Sequence, residues 1–273
     1  MVLSFVKMHG LGNDFVLVDE RECERGDWPL LAPRVANRRL GVGCDQVLLV
    51  RQSARADLRM DIYNADGSRA EMCGNGIRCL ALYARTRGLC AAGRLRVETL
   101  GGIVETRFLG EEVQVDMGAP VLEGRRVPVE ADGPVRDRPL PLDGEEVRVT
   151  CVSMGNPHAV VFVEDATSYP VEAVGPRIET HPFFPRRTNV EFVQVLGPDR
   201  LRMRVWERGA GVTTACGTGA CAAAVAAAWT GRAQREAWVL LDGGVLRVRW
   251  DEESSRVFLT GPATEVFEGR FPL

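Results

Sequence analysis

Two short segments, Cys73-Gly-Asn-Gly76 and Cys216-Gly-Thr-Gly219, each put a cysteine just ahead of a stretch that reads as the start of a helix. A helix leaves its first N–H groups without partners and gathers about half a positive charge at that end. Glycines there let a ligand approach the backbone closely. Such a place holds a carboxylate and also stabilises a thiolate, whose pKa falls from ~8.5 to about 3.5–7.5 in this setting. Each segment therefore pairs an anion cradle with an acid–base group. Taken singly, Cys-Gly-x-Gly reads equally well as a tight turn around a small buried residue. Two copies at matching places do not.

They match because the sequence repeats. Cys216 follows Cys73 by 143 residues, and the same interval carries Gly12-Asn13 to Gly155-Asn156, Gln46 to Asn189, Asn64 to Glu207 and Gly88 to Gly231. Further on the interval becomes 142, taking Gly101-Gly102 to Gly243-Gly244. Each half reads as a Gly-Asn turn into a β-rich run, an alternating strand (58–63, then 201–206), the cysteine turn, and a helix. The helices, 77–87 and 220–230, both stop at a glycine. The second is almost all alanine, so it reads as buried on every side. The expected fold is α/β of the α+β kind. It has two pseudo-symmetric domains, each a mostly antiparallel sheet wrapped around a central helix, with the active site in the cleft between them. A Pro-, Gly- and charge-rich stretch, 120–146, separates the halves. The expected domains are 1–117 and 118–261, with 262–273 returning to the first.

Two acid–base groups facing opposite sides of one carbon suit inversion of a stereocentre. A thiolate removes a proton from one face while a thiol delivers one to the other. The α-carbon of an amino acid fits, because its carboxylate would lie on the helix starts, whose N–H groups stabilise charge building up in the transition state. Pyridoxal phosphate would be the usual electron sink and needs a lysine anchor. Lys7 is the only lysine and lies in a strand-like start, so a route without cofactor is expected.

Composition narrows the alternatives. Hydrophobic residues at 45% and charged residues at 26% of 273 describe a globular protein rather than a disordered one. A net charge of −3 gives no footprint for nucleic acid. No apolar run reaches the ~18 residues of a membrane span, and no signal-peptide pattern opens the sequence, so a cytoplasmic protein without membrane partners is expected. No two of the eight cysteines have zinc-knuckle spacing, and no metal is expected. Cys79 and Cys221 read as core, and His9 and His181 as structural.

Longer motifs then carry a family resemblance. The segments 7–16 (Lys-Met-His-Gly-Leu-Gly-Asn-Asp-Phe-Val), 64–68, 72–79, 154–158 (Met-Gly-Asn-Pro-His), 188–193 and 207–221 closely resemble diaminopimelate epimerases along the whole length. The resemblance implies a pyridoxal-independent enzyme that interconverts LL- and meso-diaminopimelate, serves lysine and peptidoglycan synthesis, and usually forms a homodimer. It implies that Cys73 and Cys216 are the thiolate/thiol pair. Gly74, Asn75, Gly217 and Thr218 would hold the reacting carboxylate. Asn13, Gln46, Asn64, Asn156, Asn189, Glu207 and Arg208 would line the rest of the pocket, with Asn64, Asn156, Asn189 and Arg208 at the distal end. His158 and Glu207 stand where the cysteines' ionisation would be tuned. Phe267 stands where many relatives carry tyrosine, which bears on the form of a dimer.

Three alternatives remain open at this point. A proline or hydroxyproline racemase resembles the cysteine segments, but usually has His where Asn75 stands. A racemase of another amino acid, such as histidine, would retain most motifs. A non-catalytic amino-acid- or zinc-binding protein belongs to a different class.

Overall fold

The computed structural model describes residues 2–21, 26–90 and 93–273; Cys23 lies outside them. The elements run β1 (Val2–Gly10), β2 (Asn13–Asp19), α1 (Trp28–Ala36), β3 (Gln46–Arg51), β4 (Leu58–Asn64), β5 (Arg69–Ala70), α2 (Gly74–Thr86), β6 (Arg94–Thr99), β7 (Gly102–Leu109) and β8 (Glu112–Asp116). They continue with β9 (Arg138–Leu142), β10 (Glu145–Ser153), β11 (Pro157–Phe162), α3 (Val171–Glu179), β12 (Asn189–Gly197), β13 (Arg200–Glu207), β14 (Gly211–Thr213), α4 (Gly217–Trp229), β15 (Glu236–Leu241), β16 (Gly244–Trp250), β17 (Val257–Gly261) and β18 (Thr264–Pro272). Two compact units result, one of Met1–Asp116 with Thr260–Leu273, the other of Met117–Leu259.

In the first unit β1 pairs antiparallel with β2 and β18, β2 runs parallel to β3, β3 antiparallel to β4, and β4 parallel to β6. Hairpins add β7 and β8. The second unit repeats the pattern. There β11 runs parallel to β12, β12 antiparallel to β13, β13 parallel to β15, and β15 antiparallel to β16. The duplication seen in the residues is thus a duplication of strand pairing, and the architecture is the mixed, mainly β fold that the repeat implied.

The central strands β2, β3, β11 and β12 are buried on both faces, which explains their unbroken apolar runs. In β3, Val47 and Leu49 face α1 with Val16, Val18 and Trp28. The intervening Leu48, fully buried, reaches the glycine-rich start of α2. In β12, Val190 and Phe192 face α3 with Val174 and Ile178. Glu191, between them, turns to the start of α4. The central helices begin three residues earlier than periodicity alone suggests, because the glycines are themselves helical and the cysteines cap them. Residues 220–227 of α4 are all buried, as an alanine helix inside a curled sheet should be. No helix among the described residues is long and apolar enough to cross a membrane.

Candidate functional site

In the first unit, Cys73 is the N-cap of α2, and its sulfur accepts the Gly76 N–H at 3.4 Å. Gly12 turns the chain ahead of β2 at φ +87°, where a side chain would be strained, and so presents Asn13. Asn13 Oδ1 accepts from the Cys73 thiol at 3.7 Å and from Asn75 Nδ2 at 3.1 Å. Its own amide donates to Asp45 at 2.9 Å. The fully buried Arg78 donates to Asn75 Oδ1 at 2.8 Å, to the Gly74 carbonyl at 3.4 Å and to the Pro262 carbonyl at 3.0 Å. That guanidinium ties the first turn of α2 to the C-terminal tail. Gln46 and Asn64 are opposite one another on β3 and β4 and joined at 2.8 Å, with Asn64 also donating to Ser68.

The second unit builds the same corner with different side chains. Cys216 caps α4 and accepts the Gly219 N–H at 3.3 Å. Gly155, at φ +98°, presents Asn156 as Gly12 presents Asn13. Asn156 does not reach the sulfur directly. Its amide donates to Thr218 Oγ1 at 3.3 Å, and Thr218 Oγ1 lies 3.5 Å from Cys216 Sγ. Behind Asn156, His158 Nε2 meets Asn156 Oδ1 at 2.9 Å, and His158 Nδ1 meets Glu191 Oε1 at 2.7 Å. Both His158 and Glu191 are fully buried. Asn189 uses both ends of its amide on backbone, donating to the Pro157 carbonyl at 2.8 Å and accepting from the Arg208 N–H at 3.0 Å. It therefore braces the loop that carries the exposed Arg208. Glu207 accepts from the Thr213 hydroxyl.

The ionisation of Cys216 departs from the helix-start expectation. Burial pushes its thiol well above the usual range, and the Glu207 and Glu191 carboxylates push the same way. Hydrogen bonds from Thr218 and Gly219 pull down only in part. Burial wins because the half charge of a helix start is smaller than the penalty for an ion away from water. The balance at Cys216 therefore favours the thiol. Cys79 and Cys151 are also raised by burial, which fits core positions. Among the described residues, no group of three or more His, Cys, Asp and Glu side chains could hold a metal ion.

Arg78, Asp45 and Glu191 belong to these corners and did not stand out in the residue patterns. Glu191 carried a usable signal, since the repeat sets it opposite Leu48. An acid where the duplicate strand has a core leucine marks a buried polar exception. Each corner sets a cysteine thiol beside helix-start N–H groups, an arrangement with the groups needed to move a proton next to a carboxylate.

A family profile described as diaminopimelate epimerase matches residues 5–123 and 150–266. A diaminopimelate epimerase of Moorella thermoacetica is 58% identical over 99% of this chain and 100% of its own length. One from Heliobacterium modesticaldum is 49% identical over 99% of this chain and 100% of its own.

The chain belongs to the diaminopimelate epimerase family.

It is accordingly an isomerase. Solved structures extend the fold to more distant proteins. A hydroxyproline epimerase from Agrobacterium vitis superimposes with a TM-score of 0.72 at 16% identity, covering 100% of this chain and 93% of its own. A PhzF-family phenazine biosynthesis protein from Bacillus anthracis gives 0.72 at 18% identity, covering 100% of both. The epimerase fold thus persists where the sequences have diverged.

Proposed function

We propose that the chain interconverts LL- and meso-diaminopimelate without a cofactor, with Cys73 and Cys216 as the two acid–base groups at the α-carbon. The observation that carries this reading is the pair of helix-capping cysteines, each accepting the N–H three residues on, at the same place in both repeats. Inversion requires two groups, one to take the proton and one to return a proton to the opposite face. The N–H groups of Gly74, Asn75, Gly217 and Thr218 are assigned to the substrate's reacting carboxylate. Asn13, Gln46, Asn64, Asn156, Glu207 and Arg208 are assigned to the remaining polar groups, and Asn189 to holding Arg208 in place. His158 and Glu207 are assigned to tuning the ionisation of the two cysteines. A Schiff-base cofactor is disfavoured because Lys7 is held by Asp14 and the Gly43 carbonyl.

The same reading places the enzyme in the cytoplasm as a homodimer. Val266 and Phe267 on β18, 53% and 49% exposed, offer an apolar surface for a second copy. The purified protein, incubated with LL-diaminopimelate in deuterated water, should yield meso product carrying one deuterium at the inverted centre. Inverted product without deuterium, or no inversion at all, would overturn the proposal.

A further inference from the structure

Glu179 occupies a place that costs stability. It is the last residue of α3, where a helix carries partial negative charge, and it is buried. A carboxylate persists there only if donors meet its oxygens. Oε2 accepts from Trp206 Nε1 at 2.7 Å and Oε1 from the Gly209 N–H at 3.0 Å, with Arg187 Nη1 3.7 Å from Oε1. Trp206 lies hard against α3, since a Cβ added at Gly175 would come within 2.6 Å of its Cγ. One acid thus joins α3 to the end of β13 and to the loop ahead of β12.

These contacts converge on Arg208. Gly209, at φ +76°, turns the chain after β13, and the Ala210 N–H closes the turn on the Glu207 carbonyl at 3.0 Å. Inside the turn, the Arg208 N–H donates to Asn189 Oδ1 at 3.0 Å and its guanidinium donates to the Arg186 carbonyl at 3.3 Å. The next residue, Arg187, has φ +57°, the left-handed region that residues other than glycine seldom adopt. Its side chain is the one that faces Glu179. Glu179 therefore grips the backbone just beyond Arg208 and, through Arg187, the loop that holds the guanidinium. Among the described residues no carboxylate pairs with that guanidinium. A carbonyl orients it without neutralising it, so its charge is left for a ligand.

The other half of the chain supplies a comparison. Helices α1 and α3 coincide in the repeat, Trp28–Ala36 on Val171–Glu179. The interval of 143 sets Ala36 opposite Glu179, Cys44 opposite Arg187, Tyr63 opposite Trp206 and Ala65 opposite Arg208. The half with alanine in place of the arginine also has alanine in place of the acid. Glu179 goes with Arg208, not with the fold the two halves share.

We propose that Glu179 is a positioning residue for substrate: it pins the turn after β13 so that the Arg208 guanidinium meets the carboxylate at the far end of diaminopimelate. This rests on the assignment of Arg208 above and adds to it the acid that stands behind the arginine.

The test is Glu179→Gln, which keeps the volume of the side chain. One oxygen becomes an NH2 group, so the indole and the Gly209 N–H can no longer both be accepted as they are now. Exchange of the Gly209 amide with deuterated water, followed by NMR, should quicken about 10-fold, while amides of α3 and β12 keep their rates and show the fold intact. KM for LL-diaminopimelate should rise about 10-fold, with kcat and its pH limbs unmoved because the cysteine corner is untouched. Added to Arg208→Ala, the same change should raise KM by less than about 2-fold, since the residue it positions is gone. Unmoved exchange at Gly209 overturns the proposal. So does an unchanged KM, an equal rise in both backgrounds, or a loss confined to kcat. An Arg208→Ala enzyme with unchanged KM would instead show that the assignment of Arg208 is wrong, and the proposal would fall with it. If the unmodified enzyme fails to epimerise diaminopimelate, the functional reading fails, and exchange at Gly209 still decides whether Glu179 holds the turn.

Discussion

One methyl group separates the two helix starts. Gly219→Ala would put a Cβ 2.8 Å from Glu191 Oε1, 3.2 Å from Cys216 Sγ and 3.3 Å from Cys216 Cβ. Gly76→Ala would put one 3.1 Å from Leu48 Cδ2 and 3.5 Å from Cys73 Cβ. Neither glycine has positive φ, so alanine is allowed by the backbone at both. In each case replacing a helical glycine gains up to ~1 kcal/mol. Against this, overpacking a buried site costs about 1–3 kcal/mol. At Gly76 the neighbour is a leucine methyl that yields by a few tenths of an ångström, and the two effects nearly cancel. At Gly219 the neighbour is a carboxyl held to His158 at 2.7 Å, which gives way only by loosening that bond. The net loss there is about 1–2 kcal/mol, equivalent to a melting temperature about 2–8 °C lower. Thermal and urea unfolding of the two variants side by side measure the difference, and kcat should fall further in Gly219→Ala because Cys216 Sγ is also displaced. Equal shifts in the two proteins would refute the reasoning, since they would mean that Glu191 is free to move.

Cys73→Ala and Cys216→Ala should each abolish epimerisation while leaving substrate binding by calorimetry intact. Each should still exchange the α-proton of one isomer only, and opposite isomers for the two variants, in deuterated water followed by mass spectrometry. Burial holds the thiols of Cys44 (to about 11), Cys79, Cys151 and Cys216 above their unfolded values. A raised folded pKa means that the unfolded chain releases its protons first, so this stability is whole below pH ~8.5 and is lost as pH rises through the folded values. Urea midpoints should therefore fall above that pH, and Cys151→Ala should flatten the slope. Arg78→Leu leaves Asn75 Oδ1 and the Gly74 and Pro262 carbonyls without that donor, and should lower unfolding free energy by about 2–4 kcal/mol in urea titrations.

Much of this protein can be read along the sequence because its information there is local or repeated. Hydrophobic alternation places strands such as β4 and β13, glycines mark where α2 and α4 stop, and a fixed interval pairs the two Cys-Gly-x-Gly turns. The helix starts read three residues late, since glycine looks like a breaker until it is seen that cysteine supplies the cap. The family motifs name the amides, but not which of them neighbouring protein groups claim. Asn189 is consumed by Pro157 and Arg208, and Asn75 by Asn13 and Arg78. Those choices are tertiary, because they depend on which carbonyl or guanidinium a neighbouring strand or helix brings within about 3 Å. The ionisation of Cys216 is decided the same way. A cysteine at a helix start promises a thiolate, and the residues around it in sequence do not contradict that. Folding buries the sulfur and brings Glu191 and Glu207 up to it from β12 and β13, and desolvation with two nearby carboxylates outweighs the helix's partial charge. Residue types determined what chemistry was available; the solvent that folding excludes determined which protonation state it starts from.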